Sequence, residues 1–159
     1  VTMFRLVPDQ KRFLASTNGY GFVVPESELV SARKAGKQVM TPSAGSELLC
    51  TGIASGDMTA VVGENRKLLI FASAELPEMA RGKGNKIINI PSKRLQAREE
   101  FMIAATVLNK NKILKVYAGK KHLSLKLSDL EHYAGERGRR GNKLPRGHQK
   151  VDRIEVEDK

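Results

Sequence analysis

Arg81, Lys83, Lys86, Lys93, Arg94 and Arg98 fall between Ala80 and Arg98 with no acid among them, and Arg137, Arg139, Arg140, Lys143, Arg146 and Lys150 fall between Gly135 and Lys150 against Glu136 alone. The two stretches contribute 6 and 5 positive charges, the whole of the net +11 that 28 Lys and Arg leave over 17 Asp and Glu. Elsewhere bases and acids balance. Charge confined to two glycine-containing segments is the footprint of a polyanion-binding surface, so the chemistry on offer is contact with phosphate oxygens. Arg139 and Arg140 carry forked donors suited to those oxygens, and Gly82, Gly84, Gly138 and Gly141 allow close backbone approach. The candidate contacts are Arg81, Lys83, Lys86, Arg137, Arg139, Arg140, Lys143 and Arg146, with Arg33, Lys34 and Lys37 as a weaker third group. Such contacts hold a nucleic-acid backbone without reading bases. Aromatic residues make up 5% of the chain and are absent from both stretches. Base stacking is therefore disfavoured, and duplex DNA held by shape and charge is the better physical match.

Other chemistries find little support. There is no Gly-x4-Gly-Lys-Ser/Thr phosphate loop, and Gly82-Lys83-Gly84 lacks the third glycine of a dinucleotide fingerprint. His122, His132 and His148 lack zinc-ligand spacing, Glu99-Glu100 and Glu155, Glu157 and Asp158 read as solvated surface, and no acid pair has the setting of a magnesium site. No complete active site and no metal site are expected. Cys50 is the single cysteine and, beside Leu48 and Leu49, reads as a buried thiol. Nothing approaches the roughly 18 consecutive apolar residues of a membrane span, which points to a cytoplasmic setting without a membrane partner.

The elements that must position these bases form a repeat. Phe13-Leu14-Ala15 turns through Thr17-Asn18-Gly19 into Tyr20–Val24; Ala60-Val61-Val62 turns through Gly63-Glu64-Asn65 into Leu68–Phe71; Ile113–Tyr117 turns through Gly119-Lys120-Lys121 into Leu123–Leu127. An acid-Leu pair follows each hairpin, Glu28-Leu29, Glu75-Leu76 and Asp129-Leu130. Then comes a glycine-rich basic loop ending in Gly36-Lys37-Gln38-Val39, Gly84-Asn85-Lys86-Ile87 or Gly141-Asn142-Lys143-Leu144. A period of about 50 residues built from short strands is that of a propeller blade. Arg94–Glu100 predicts a short helix or turn before a buried strand over Phe101–Leu108, and Ile154 and Val156 predict a terminal strand. Met3–Val7 reads as strand-like at a start that resembles a cut from a longer polypeptide. The fold class is all-β in one domain, residues 1–159, with repeats at roughly 1–45, 46–95 and 96–159.

The run Arg81–Pro91, with Gly135–Gly141 and Asn18–Phe22, closely resembles the C-terminal domains of bacterial DNA topoisomerase IV A-subunits over essentially the whole chain; the corresponding domains of DNA gyrase are more distant. The resemblance implies a β-pinwheel, a propeller-like ring whose blades exchange strands and whose basic rim bends or positions duplex DNA. The gyrase version carries a Gln-Arg-Arg-Gly-Gly-Lys/Arg-Gly box; the nearest matches here, Ala80–Gly84 and Arg137–Gly141, are incomplete, which favours topoisomerase IV over gyrase-type wrapping. The cleavage tyrosine of that family lies in a separate domain, and Tyr20, Tyr117 and Tyr133 match no catalytic motif. ATP and magnesium would serve the parent holoenzyme, and no cofactor is expected on this chain. The implied partners are double-stranded DNA, the remaining core of the topoisomerase IV A-subunit and the companion B-subunit of the holoenzyme, in a bacterial cytoplasm at the nucleoid; as an alternative to DNA, the basic rim would also suit a protein-interaction propeller that docks an acidic chromosome-associated protein. Such domains usually have about five blades, and this sequence shows three of about four strands each. A partial ring of this kind exposes strand edges, so it is expected either to pair with another copy or to remain an open crescent.

Overall fold

A computed structural model describes residues 3–50 and 52–158; the side chain of Cys50, expected to be buried, lies outside the described residues. Three hairpins organise the chain: β1 (Lys11–Ser16) with β2 (Tyr20–Pro25), β4 (Met58–Gly63) with β5 (Lys67–Ala72), and β8 (Lys112–Ala118) with β9 (Lys121–Leu125). All three are antiparallel, and their turns fall where the Asn-Gly and Gly signals place them. A strand that follows later in the chain lies beside the first strand of each hairpin. These strands are β3 (Leu48–Cys50) on β1, β7 (Met102–Leu108) on β4 and β11 (Arg153–Asp158) on β8. Leu49, Ala105 and Ile154, one from each of them, border a common cavity where the three sheets converge.

The strand on the opposite edge comes from the next repeat. β6 (Asn85–Lys86) joins the first sheet, with Tyr20 opposite Lys86 and Gly21 opposite Asn85, and β10 (Asn142–Lys143) joins the second, with Leu68 opposite Asn142 and Lys67 opposite Lys143. The sheets therefore run β3-β1-β2-β6, β10-β5-β4-β7 and β11-β8-β9. Two have four strands; the third has three, and no strand lies along the outer edge of β9 among the described residues. Exchange requires close approach. Gly84 (φ +83°) and Gly141 (φ +76°) press against the hairpins so tightly that a Cβ on either would sit 2.3 Å from a carbonyl oxygen, that of Gly21 or of Leu68. Gly36, at the matching place in the first repeat, has φ +79° and nothing within 4 Å.

The core explains why β4 and β5 read as unbroken apolar runs. Their side chains alternate between two faces, and both faces are covered. Val61, Leu69 and Phe71 pack towards the first sheet with Phe13, Ile87 and Met102, while Ala60, Val62, Leu68 and Ile70 pack towards the third with Leu114, Val116 and Leu125. Ahead of β7, Pro91 precedes the short α1 (Ser92–Gln96), which starts two residues before the expected Arg94–Glu100 stretch and gives way to a turn over its second half. β7 itself is half-buried rather than fully buried. Met3–Val7, read as strand-like, is irregular and exposed.

That segment is tied down by a buried acid. Glu26 is fully buried; its Oε2 accepts the Val7 amide at 2.6 Å, and its Oε1 accepts Arg12 Nε at 3.0 Å. The Val7 hydrogen bond first, then Arg12, hold its carboxyl below the ordinary 4.5, against the opposing effect of burial. A depressed folded-state pKa gives stability that is complete above the unfolded value and is lost as pH falls. The melting-temperature difference between the native chain and Glu26→Gln is therefore expected to be full above pH 4.5 and to close as the pH falls below it. Thermal melts at stepped pH check this; a gap that widens in acid would contradict it.

Candidate nucleic-acid interface

The second and third basic loops are each a stretch of an exchanged segment that bulges out between two points of attachment to a neighbouring hairpin. In the second repeat the attachments are the Met79 amide to the Val23 carbonyl (2.8 Å) and β6 on β2; in the third they are the Gly135 amide to the Ile70 carbonyl (2.8 Å) and β10 on β5. Gly84 and Gly141 close the loops against the hairpins, and the intervening residues 80–83 and 136–140 leave the sheet between these attachments. They project on the edge opposite β3, β7 and β11, which places them on the outer rim.

The loops also bond to one another. Gly82 donates its amide to Val39 (2.8 Å) and its carbonyl accepts the Thr41 amide (2.9 Å), joining the first loop to the second. The Gly138 amide donates to Ile87 (3.1 Å), the Asn89 amide to Arg139 (3.0 Å), and Arg137 Nη1 to the Lys86 carbonyl (2.7 Å), joining the second to the third. Arg33, Lys37 and Arg81 border one cavity, and Lys83 and Lys86 another. Segments separated by some fifty residues in sequence thus form one continuous ribbon.

The candidate residues divide by what they touch. Arg81, Lys86, Lys143, Arg146, Arg33 and Lys34 are exposed and make no ion pair among the described residues. Lys83 Nζ sits 4.1 Å from the centre of the Tyr20 ring. Arg139 reaches Glu136 at 3.1 Å, but both side chains are about three-quarters exposed, so the pair is worth little and opens readily. Lys37 is held by Glu28 at 3.2 Å. Arg137 turns back to the Lys86 carbonyl and Arg140 turns inward, with Nη2 2.9 Å from Glu100 and Nη1 3.3 Å from the Asn89 carbonyl. Glu100 is only 2% exposed, so Arg140 neutralises a buried carboxylate and pins the third loop to the second. On the third sheet Glu157 pairs with Lys115 at 3.0 Å and raises its pKa, and Asp158 pairs with Lys112, both between β11 and β8.

Two arginines outside the candidate set belong to the same surface. Arg66 (φ 65°) and Arg98 (φ 56°) are, among the described residues, the only ones with a side chain and a left-handed backbone. Arg66 caps the β4–β5 turn, where its carbonyl accepts the Leu144 amide (3.0 Å); Arg98 ends α1 beside Lys83 and Lys86. Charge counting places Arg98 in the first basic stretch but does not single it out, and nothing in sequence marks the backbone conformation of either, which usually selects glycine or asparagine.

Three sheets converging on one side, with outer strands exchanged between consecutive modules and basic loops on the rim, define a strand-exchanging β-propeller of the pinwheel kind. A family profile described as DNA gyrase C-terminal domain, beta-propeller, matches residues 13–45 and 57–109, and the chain belongs to that family. Within it, the chain is 45% identical over 157 residues to the DNA topoisomerase 4 A-subunit of Pseudomonas aeruginosa, covering 96% of this chain, and 36% identical over 151 residues to that of Escherichia coli K12, covering 94%. It spans about a fifth of the length of these relatives, 21% and 20%. The solved E. coli ParC C-terminal domain superposes with a TM-score of 0.86 at 34% identity, over 96% of this chain and 62% of that one. A DNA gyrase A C-terminal domain, at 14% identity and a TM-score of 0.73 over 93% of this chain and 50% of that one, shares the fold.

Proposed function

We propose that the rim binds duplex DNA through its phosphates. The observation that carries this reading is the continuous ribbon of three hydrogen-bonded loops, in which Arg33, Arg81, Lys86, Arg139 and Lys143 remain exposed while the acids of β11 are paired on another sheet. Backbone contacts made this way fix the position of a helix without reading its sequence. In a topoisomerase IV, such a rim would bend or present a DNA segment so that the rest of the enzyme, the A-subunit core together with the B-subunit, selects crossings for ATP-driven strand passage, relaxing and decatenating chromosomes at the bacterial nucleoid. The domain contributes positioning rather than catalysis.

A rim of this charge also suits an acidic chromosome-associated protein, and the two uses are compatible. Single-stranded RNA is a poorer match, since the Tyr20 face is already covered by Lys83. The test is a gel shift of linear and supercoiled duplex across a salt series, with single-stranded RNA as competitor. Retention of duplex against RNA supports the reading; failure to shift duplex at low salt favours the protein partner.

A further inference from the structure

Beside the rim lies a cavity of about 560 Å³ bounded by the β1–β2 turn, the 43–46 turn, the second basic loop and α1. Lys83 and Lys86 from the second loop and β6 line it together with Arg98 from the end of α1, Ser43 and Ser46, and no carboxylate among the described residues lines it. We propose that this cavity seats a phosphate diester of the bound duplex, which makes Arg98, on neither basic loop, a phosphate contact. The inference rests on the duplex-binding reading and extends it to a particular seat.

Two observations converge on a phosphate here. First, Lys83 Nζ lies over the Tyr20 ring, which blocks that face to a stacked base and fixes the ammonium at the cavity. Second, Arg98 holds a backbone conformation that disfavours it. Its amide donates to Leu95 (3.1 Å) and the Glu99 amide donates to Arg94 (2.9 Å), which closes α1 with a left-handed residue at φ 56°. Glycine is the ordinary occupant of such a closure. A long cationic side chain kept there at a cost to stability points to a use for the side chain. Arg98 makes no ion pair among the described residues, whereas Arg94, four residues earlier on α1, is directed to Glu100 at 3.7 Å.

The experiment measures anisotropy of a labelled duplex against the native chain, Arg98→Gly, Arg98→Lys and Lys110→Ala across a salt series, with a thermal melt of each. Lys110 lies at the β7–β8 turn, at the far end of the second sheet, and controls for loss of one charge. Arg98→Gly is expected to melt about 2 °C higher, to bind about five- to ten-fold more weakly at about 0.1 M salt, and to lose about 0.9 from the salt slope. Arg98→Lys should keep the slope, and Lys110→Ala should match the native chain. Native affinity and slope in Arg98→Gly, with the native chain binding normally, would overturn the seat and leave the rim intact. Absence of duplex binding by the native chain would instead overturn the reading beneath it. Inorganic pyrophosphate, titrated at constant ionic strength, distinguishes the source of the phosphate. Displacement of native duplex but not of Arg98→Gly duplex supports the seat; pyrophosphate binding without any effect on duplex assigns the cavity to free phosphates and overturns it.

Discussion

Replacing Arg81, Arg139 and Lys143 together with alanine is expected to weaken duplex binding by about 100- to 1,000-fold at about 0.1 M salt. Each neutralised phosphate contributes about 0.9 to the slope of log affinity against log salt, so three contacts carry about 2.7 of it, or nearly that many decades between 1 M and 0.1 M. The three side chains are exposed, one in the second loop, one in the third and one on β10, and none lies in the core. Melting temperature should therefore stay near that of the native chain, so that weakened binding cannot be assigned to unfolding. Arg140 is deliberately left in place. Its removal would strand the buried Glu100 carboxylate and confound affinity with stability. Unchanged duplex affinity in the triple variant, measured by anisotropy, would remove the rim from the interface.

The second large effect concerns strand exchange. Gly141→Ala adds a Cβ 2.3 Å from the Leu68 carbonyl oxygen and 3.0 Å from the Leu69 nitrogen, and it forces an L residue to φ +76°. The left-handed backbone costs about 1–2 kcal/mol and the overpacking about 1–3 kcal/mol. The neighbour is backbone and cannot swing aside, so β10 must lift from β5. A loss of about 2–5 kcal/mol is expected, which lowers the melting temperature by about 4–20 °C in a chain of this size. Gly36→Ala, at φ +79° with nothing within 4 Å, isolates the backbone cost alone and should lose no more than about 1–2 kcal/mol. Equal losses in the two variants, by denaturant titration, would show that the exchanged strand adds nothing to stability. In Gly141→Ala the third loop is also released, and duplex affinity should fall with it.

The hairpins were legible because local chemistry specifies them. Asn18-Gly19 supplies a tight turn, and the apolar residues of β4 and β5 leave no polar face to solvate. The repeat of hairpin, acid-Leu corner and basic loop was legible for the same reason. What could not be read was the destination of each exchanged strand. β6 and β10 are two residues long, and their place is set by two paired residues each and by the close fit of Gly84 against Gly21 and of Gly141 against Leu68. Nor could sequence separate Arg139, which faces outward, from Arg140, which is drawn inward by an acid forty residues earlier. Neighbours in a loop can point opposite ways, and a buried carboxylate decides which. Arg98 escaped notice because its significance lies in a backbone angle, whereas charge counting ranks it with every other base in its stretch.

The salt dependence of duplex affinity tests most directly whether the continuous cationic rim engages a double helix through phosphate contacts. With about five phosphates neutralised, a plot of log affinity against log salt for the native chain should fall with a slope of about −4 to −5, and nearly alike for duplexes of unrelated sequence. An affinity that does not change with salt would contradict it.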